Sequence, residues 1–262
     1  MGSEGLGGDD FSAGERSMRR LFLPGELSDT VTLTGSDAHH VGYTLRARRG
    51  DRFIVVGAQR QTAAMEVTDF TKDTVTLRRV AKLDADTEPP IELGLAICLL
   101  KGDKLDFAVQ KAVELGAAFI QPLRSENCVV RYDAKKAAVR EEKWRRVAAE
   151  AAKQCGRTLV PRVEPVCALA AWLKELPADS AVFMAYEKER AASLRSWLQK
   201  ETSRSYVALI GPEGGFTLAE AEAARTAGVH SVTLGPRILR AETAALAALA
   251  AVMYEKGDWG TE

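Results

Sequence analysis

The chain has 262 residues, of which 46% are hydrophobic and 27% charged, and its 36 basic and 36 acidic side chains leave no formal net charge. This composition indicates a globular protein with one large core or two smaller ones, and argues against a protein that coats nucleic acid indiscriminately. No run approaches the roughly 18 consecutive apolar residues of a membrane span, and the N-terminus lacks the apolar core of a signal peptide. We therefore expect a cytoplasmic protein with no membrane partner.

Residues 1–17 are small, polar and acidic, which predicts a flexible extension, because such residues bury too little apolar surface to become ordered. Between Met18 and Arg60, seven arginines accompany only four carboxylates. The planar guanidinium group suits contacts with phosphate oxygens. An ordinary solvated surface explains the same arginines equally well.

Short β-rich runs separated by turn residues predict a small β-barrel over residues 18–85. The runs are Thr30–Leu33, Arg52–Val56, Ala63–Val67 and Thr74–Arg78. His39 and His40 lie in the same region. The sequence is compatible with two roles for them, either contact with RNA or a hydrogen-bonded polar pair. The polar segment from Ala81 to Pro90 ends in two prolines and is typical of a linker.

Strand and helix signals alternate over residues 86–262, which predicts an α/β fold with a mostly parallel sheet. The predicted strands include Leu93–Leu99 and Ala181–Ala185. The predicted helices are Asp103–Leu115, which Gly116 stops, then Asp133–Cys155, Glu189–Gln199 and an alanine-rich last helix from Ala241 to about Tyr254. Because the last helix lacks a broad polar face, we expect it to be buried, against the neighbouring loops and a second subunit.

The four cysteines are widely spaced and the chain has only three histidines. A zinc site requires closely spaced pairs of such ligands. We therefore expect reduced cysteines that act as packing residues, and no metal.

Two strand–turn–helix units follow each other near the C-terminus. Strand Tyr206–Ile210 leads into Gly-Pro-Glu-Gly-Gly and a helix capped by Thr217, with Glu220 three residues later as in a capping box. Strand His230–Leu234 leads through Gly-Pro-Arg-Ile-Leu-Arg into the last helix. Glycines let a ligand approach the main chain, so two such turns in tandem indicate a site, although one alone is typical of an ordinary turn.

The sequences GPEGGFT and LGPRILRAETA resemble those of the type E ribosomal RNA methyltransferases, which methylate N3 of a uridine in the 16S RNA of the small ribosomal particle and belong to the SPOUT superfamily. The resemblance extends upstream through KGDKLDFAVQKAVELG, SENCVVR and EAAKQCGR to MRRLFLP and DAHHVGYTLRARRGD, so it covers nearly everything after Met18. Two positions depart from the family pattern: Ala241 replaces a usual threonine, and Tyr43-Thr44 replaces a usual Arg-Val.

The resemblance implies a PUA-like RNA-binding β-barrel over residues 18–85, followed by a SPOUT α/β domain with a trefoil knot over residues 86–262. It implies a homodimer formed through the C-terminal domain, with 16S ribosomal RNA or the small ribosomal subunit as the partner. The implied cofactor is S-adenosyl-L-methionine. Its implied binding residues are Leu209, Gly211, Glu213, Gly214, Gly215, Leu234, Gly235, Ile238, Leu239 and Thr243.

The acceptor chemistry points to residues that follow the second turn. Uridine N3 must lose a proton before it attacks a methyl group, so Glu242 is a candidate base and Arg240 a candidate stabiliser of the uridine anion. Alternatively, Glu242 caps the last helix and pairs with Arg237 or Arg240, and Glu213 is either a second base or a residue that holds its turn. Ile238 and Leu239 are equally open to a core role.

The candidate RNA-binding residues are Arg19, Arg20, His39, His40, Arg46 and Arg49. Two other functions are compatible with the sequence. One is a SPOUT enzyme that acts on a different RNA, and the other is an RNA-binding assembly factor that has the fold without turnover.

Overall fold

A computed structural model of the chain describes residues 18–84, 86–177 and 179–259. The predicted flexible extension, residues 1–17, lies outside the described residues. The described chain forms two compact units, the first containing residues up to Thr87 together with Lys153–Leu159, and the second containing Glu88–Ala152 and the residues from Val160 onward. No helix in the described ranges is long and apolar enough to cross a membrane.

The first unit is built on a five-stranded sheet with the order β1-β3-β4-β5-β2. The strands are β1 Arg20–Phe22, β2 Thr30–Thr34, β3 Arg52–Val56, β4 Thr62–Phe70 and β5 Thr74–Leu83. Strands β1 and β3 are parallel, and the other pairs are antiparallel. The four β-rich runs predicted from the sequence are all strands, and β1 is a strand that the sequence analysis missed.

A helical segment connects β2 to β3 and carries both histidines, so these residues lie on no strand. It consists of α1 Gly35–His39, followed directly by a π-helical turn, His40–Thr44. Ala38 and Val41 point into the apolar core of the unit, where they join side chains from β2 to β5. A 3₁₀ turn, Ala58–Arg60, links β3 to β4.

Residues 153–159 belong to the first unit because backbone carbonyls in this segment accept hydrogen bonds from it. Arg20 Nη1 donates to the carbonyl of Arg157 at 3.1 Å, and Thr87 Oγ1 donates to that of Gly156 at 2.8 Å. Thr158 Oγ1 donates to Asp86 at 3.1 Å.

The second unit has a parallel sheet with the order β12-β10-β11-β6-β7-β8, and β9 also pairs with β7. The strands are β6 Glu92–Cys98, β7 Phe119–Arg124, β8 Arg162–Val163, β9 Cys167–Ala168, β10 Ala181–Ala185, β11 Ser205–Ile210 and β12 His230–Val232. These strands pair in parallel, as the alternation of strands and helices predicted. β6 and β11 are nearly continuous apolar runs, because helices cover a parallel sheet on both faces.

The helices of the second unit are α2 Lys104–Glu114, α3 Ala134–Cys155, α4 Leu169–Trp172, α5 Leu194–Leu198, α6 Leu218–Thr226 and α7 Ala241–Lys256, with the last residues of α3, from Lys153, belonging to the first unit. Helix α2 ends before Gly116, whose φ of +88° is compatible with glycine at the end of a helix. The predicted bounds of α2, α3, α6 and α7 agree with the observed helices within a few residues.

The predicted helix Glu189–Gln199 is wrong over its first half, because α5 begins only at Leu194. Glu189 Oε1 instead accepts hydrogen bonds from the backbone N–H groups of Ala191, at 2.8 Å, and Arg190, at 2.9 Å. Acidic side chains compete in this way with helical backbone bonds. Ser193 then caps α5 by accepting from the N–H of Ser196 at 3.1 Å.

The last helix is buried on one face within the single chain, and its burial against a second subunit stays a prediction. One face of α7 lies in the core, with Ala245, Ala248 and Leu249 fully buried. The opposite face is only partly covered: Tyr254 is 69% exposed, and Thr243 is exposed. An all-round apolar helix therefore keeps one apolar face uncovered in this unit.

Asp106 joins α2 to α3 through three hydrogen bonds. Its carboxylate accepts from Trp144 Nε1 and Arg140 Nη2, each at 2.8 Å, and from Lys143 Nζ at 2.5 Å. Burial acts to raise the pKa of Asp106, but the bonds from Lys143 and Trp144 and the charge of Arg140 lower the pKa below its ordinary 3.8. The interaction therefore stabilises the fold only while the carboxyl is ionised.

We predict that Asp106→Asn lowers the free energy of unfolding by about 1–3 kcal/mol at pH 7, since it weakens charged hydrogen bonds at a buried position. The difference in unfolding free energy between wild type and variant is fully present above the pKa that Asp106 has in the unfolded chain. It shrinks as the pH falls through the lower pKa that Asp106 has in the folded protein. Urea denaturation at several pH values measures it. Asp103→Asn is the matched control, because Asp103 contacts Lys143 at 3.6 Å but its side chain is 88% exposed. A deficit that stays constant as the carboxyl is titrated to its protonated form would contradict the prediction.

Candidate active site

The site lies where adjacent parallel strands end. β10 lies between β12 and β11, so the turns that follow these three strands meet at one edge of the sheet. Open α/β sheets bind ligands at this edge. A cavity of about 390 Å³ is present there in the second unit, and its lining includes Lys104, Ala185, Tyr186, Glu187, Arg190, Ile210, Gly211, Pro212, Glu213, Gly215, Phe216, Thr233, Leu234, Gly235, Pro236, Arg237, Ile238, Leu239, Arg240, Ala241 and Ala244.

The turn after β11 forms the first wall. Phe216 is buried at 3% exposure and fills the inside of the turn, against Gly211. Gly215 has a φ of +67°, and a Cβ added there would lie 2.9 Å from Oε1 of Glu187. Both the backbone conformation and the space therefore require glycine at this position.

Three hydrogen bonds join the segment Ser125–Arg131 to the first turn and to the start of α6. Asn127 Nδ2 donates to the carbonyls of Gly214, at 3.3 Å, and Gly215, at 3.1 Å. Glu220 Oε1 accepts from the backbone N–H of Glu126 at 2.7 Å. The predicted capping box is present: the Thr217 and Glu220 side chains each accept the other's backbone N–H. The start of α6 thus fixes both the turn and the neighbouring loop.

The turn after β12 forms the second wall. Gly235 has a φ of +112°, and a Cβ added there would meet no atom within 4 Å, so its backbone faces open space. Thr233 Oγ1 accepts from the N–H of Gly235 at 3.2 Å. Ile238 is 86% exposed, so the alternative of Ile238 as a core residue is wrong. Leu239 is half-buried.

Glu213 lines the cavity but is held by its neighbours. Its Oε1 accepts from the backbone N–H of Lys101 at 3.0 Å and lies 3.5 Å from Lys104 Nζ. Burial acts to raise the pKa of Glu213, yet the backbone hydrogen bonds and the charge of Lys104 lower it. A carboxyl with a lowered pKa is a weak proton acceptor, which favours the loop-holding role of Glu213 over the role of a base.

Arg240 and Glu242, at the start of α7, differ in their position relative to the cavity. Arg240 and Arg237 both line the cavity, and neither forms an ion pair with Glu242 in the described part of the chain. Glu242 is absent from the lining, and its Oε2 is buried with no hydrogen-bond partner among the described residues. The structure therefore does not contain the predicted ion pair of Glu242 with Arg237 or Arg240.

Three of the residues expected to bind the cofactor do not line the cavity. Leu209 is fully buried within β11, and the next residue, Ile210, lines the cavity in its place. Gly214 lies against Asn127, on the outside of the turn. Thr243 is exposed, whereas Ala244 on the next position of α7 lines the cavity.

The sequence analysis missed the wall that follows β10. Tyr186, Glu187 and Arg190 line the cavity from this side. Arg190 Nη1 donates to the carbonyls of Glu187, at 2.6 Å, and Glu189, at 2.9 Å, which fixes the turn. This wall follows from the order of the strands in the structure, in which β10 lies between the two strands whose turns were recognised.

The arginines of the first unit have different surroundings. Arg49 forms an ion pair with Asp69, and Arg52 and Arg60 pair with other carboxylates. Arg19 Nη1 donates to the carbonyl of Leu45 at 3.0 Å, and Arg46 is exposed. Part of the predicted arginine cluster therefore serves to hold the unit together.

The four cysteines are free, with Cys98 and Cys128 buried. The pKa of the Cys98 thiol lies well above its ordinary value, and burial is the main cause. No group of three or more histidine, cysteine or acidic side chains arranged to hold a metal occurs within the described ranges.

Comparison with known proteins places these features in a family. The model of the RNA methyltransferase domain matches residues 87–253. The ribosomal RNA small subunit methyltransferase E of Bacillus subtilis (strain 168) is 35% identical over 237 residues, which cover 88% of this chain and 92% of that protein. The protein of the same name from Synechocystis is 30% identical, and the match covers 89% of this chain and 76% of that protein.

Two solved structures have a similar fold. The ribosomal RNA small subunit methyltransferase E from Neisseria gonorrhoeae, bound to S-adenosyl methionine, is 34% identical with a TM-score of 0.83, and the match covers 92% of this chain and 99% of that one. A methyltransferase from Legionella pneumophila in complex with the same cofactor is 28% identical with a TM-score of 0.82, and the match again covers 92% and 99%.

The sequence match and the fold are those of an RNA methyltransferase. The chain belongs to the RNA methyltransferase family that this domain defines, together with the ribosomal RNA small subunit methyltransferases E. The family resemblance carried by the two glycine-containing turns is confirmed at this level.

Proposed function

We propose that the chain is an S-adenosyl-L-methionine-dependent methyltransferase that methylates N3 of a specific uridine in 16S ribosomal RNA, in the assembled small subunit. The observation that carries the proposal is the cavity between the turns after β11 and β12, in a chain that belongs to an RNA methyltransferase family. Solved relatives of similar fold are bound to this cofactor.

The residues of the cavity fit such a cofactor. Gly215 and Gly235 present bare backbone, and at Gly235 the space beside the main chain is open. Backbone groups of Gly211, Gly215, Leu234, Gly235, Ile238 and Leu239 would hold it, with Glu213 keeping the first turn in place. When bound, the cofactor supplies an electrophilic methyl group, so the protein has to bind, orient and exclude water.

The acceptor side of the proposal assigns roles to Arg240 and Glu242. Arg240 lines the cavity without a carboxylate partner in the described chain, so its charge is available to stabilise an anion on the target base. Glu242 follows two residues that line the cavity and has a buried carboxylate oxygen without a partner among the described residues. Because this oxygen lies outside the cavity lining, the proposal requires the Glu242 side chain to turn toward the cavity when RNA binds, where it takes up the N3 proton.

The finer architecture is part of the same proposal. We propose a PUA-like barrel for residues 18–85, a SPOUT domain with a trefoil knot for residues 86–262, and a cytoplasmic protein that contacts RNA through Arg19, Arg20, His39, His40, Arg46 and Arg49. The first unit supports this with its five-stranded sheet and exposed arginines. The second supports it with a parallel sheet whose last strand in sequence, β12, pairs with β10 and not with β11.

Mass spectrometry of ribosomal RNA from cells lacking the gene tests the function. The proposal predicts the loss of one N3-methyluridine from 16S RNA and its return when the gene is restored. Loss of a methyl group from another RNA would indicate a different substrate. A complete set of modified nucleotides, with no binding of S-adenosylmethionine at millimolar concentration, would indicate a non-catalytic assembly factor.

For the cofactor site, we predict that Gly235→Ala lowers the affinity for S-adenosylmethionine by at least about 10-fold, because a side chain at this φ strains the turn that faces the cavity. Gly228→Ala is the matched control: Gly228 also has a positive φ, of +93°, and open space, but it follows α6 away from the cavity lining. Both variants should lose similar stability. Calorimetry that finds equal cofactor affinity in the two would contradict the site.

For the proton acceptor, we predict that Glu242→Gln keeps the cofactor affinity and lowers the methylation rate by roughly 10²-fold or more, the usual scale for removing a general base. Single-turnover assays on small subunits that lack the modification measure the rate. Glu213→Gln is the comparison, and we expect it to reduce cofactor affinity more than the rate at saturating cofactor. Full activity of Glu242→Gln would assign proton removal to another group.

We further propose a homodimer formed through the uncovered face of α7. Thr243, Ala247, Ala250 and Tyr254 follow each other at helical spacing, and each is exposed or only half-buried. Small side chains allow another helix to approach closely, and Tyr254 supplies a large apolar surface that is 69% exposed in the single chain.

We predict that Ala247→Glu gives a folded monomer, since it places a charge in the interface without entering the protomer core. Ala248→Glu, one residue along, should instead unfold the protein because Ala248 is 0% exposed. Sedimentation velocity and circular dichroism distinguish the two results. A dimer that persists in Ala247→Glu would place the interface elsewhere.

A further inference from the structure

An exposed aromatic pair lies on the helical segment between β2 and β3. The ring of Tyr43 stacks on that of His39, with centroids 4.9 Å apart and an angle of 19° between the planes. Tyr43 is nevertheless 67% exposed. Since His39 covers one face of the ring, the opposite face is open to solvent.

The backbone beneath this pair is fixed. His39 and Tyr43 are four residues apart on a helix that changes to π geometry at His40, and the N–H of Leu45 donates to the carbonyl of His40 at 2.9 Å. Arg19 Nη1 closes the end of the turn by donating to the carbonyl of Leu45. Val41 anchors the segment in the core at 0% exposure. π-helical turns occur frequently at functional sites.

The surroundings of the pair are open and positively charged. A Cβ added at Gly42, next to Tyr43, would meet no atom within 4 Å among the described residues. Arg46 and Arg48 follow Tyr43 within one short loop and are exposed. Neither guanidinium group forms an ion pair within the described residues, in contrast to Arg49, which is paired with Asp69.

An open aromatic face beside unpaired guanidinium groups has a specific chemical complement. Unpaired RNA bases stack on aromatic side chains while arginines contact the phosphates of the same strand. We propose that Tyr43, backed by His39, stacks on an unpaired base of single-stranded RNA, and that Arg46 and Arg48 contact the neighbouring phosphates. The inference rests on the proposed function, and adds a base-stacking contact to the phosphate contacts assigned to this unit.

Two fluorescein-labelled strands of equal length and charge test the stacking. One is oligouridylate, and the other is the same sugar–phosphate chain without bases. In anisotropy titrations of the full-length protein, we expect Tyr43→Ala and Tyr43→Leu to bind oligouridylate about 10-fold more weakly, which corresponds to about 1.4 kcal/mol. Both variants should bind the abasic strand as the wild type does, and Tyr43→Phe should bind both strands normally. Thermal unfolding of each variant controls for stability.

Arg46→Ala separates the electrostatic contribution. It should weaken binding to both strands and reduce the slope of log affinity against log salt concentration by about 0.7. The stacking proposal is overturned if Tyr43→Ala binds oligouridylate normally, or weakens binding to both strands equally. Normal oligouridylate binding with weaker binding to intact small subunits would overturn it as well, and would assign Tyr43 to a protein contact. The titrations do not depend on methylation, so a chain that stacks bases without methylating them would contradict only the proposed function.

Discussion

The functional part of this molecule depends on one geometric constraint: parallel neighbouring strands carry their following turns to the same edge of the sheet. β10 pairs in parallel with both β11 and β12, although a helix separates each of these strands from the next in the sequence. Their turns therefore surround one cavity, and the turns after β11 and β12 place glycines in its lining. Without this strand order, the two glycine-containing turns would be unrelated loops.

Several side chains hold the walls of the cavity in place through hydrogen bonds to the backbone. Glu213 and Glu220 use their carboxylates to hold backbone N–H groups, and Asn127 ties down two carbonyls of the first turn. Arg240 and Glu242, by contrast, have no ion-pair partner among the described residues. Under the proposed function, this fixed frame and these uncommitted charged groups would serve transition-state stabilisation.

Local signals predicted the local structure. Three features depend only on residues that are neighbours in the sequence, and the sequence therefore predicted them. They are the capping box of Thr217 and Glu220, the end of α2 before Gly116 and the two turns. Features that depend on residues distant in the sequence could not be predicted from the sequence alone. The ion pair between Arg49 and Asp69 depends on strand register, and the wall after β10 depends on the order of strands. The uncovered face of α7 looks the same as its buried face in the sequence, because both are rich in alanine. The predicted start of the helix at Glu189 failed because the carboxylate of Glu189 competes for its own backbone.

The most direct test of the account is a crystal structure of the protein grown with S-adenosylmethionine. The account predicts density for the cofactor between the turns that contain Gly215 and Gly235, with main-chain atoms of both turns in hydrogen-bond contact. Density at another place on the chain, or an empty cavity at saturating cofactor, would contradict the claim that the edge formed by β10, β11 and β12 is the site of methyl transfer.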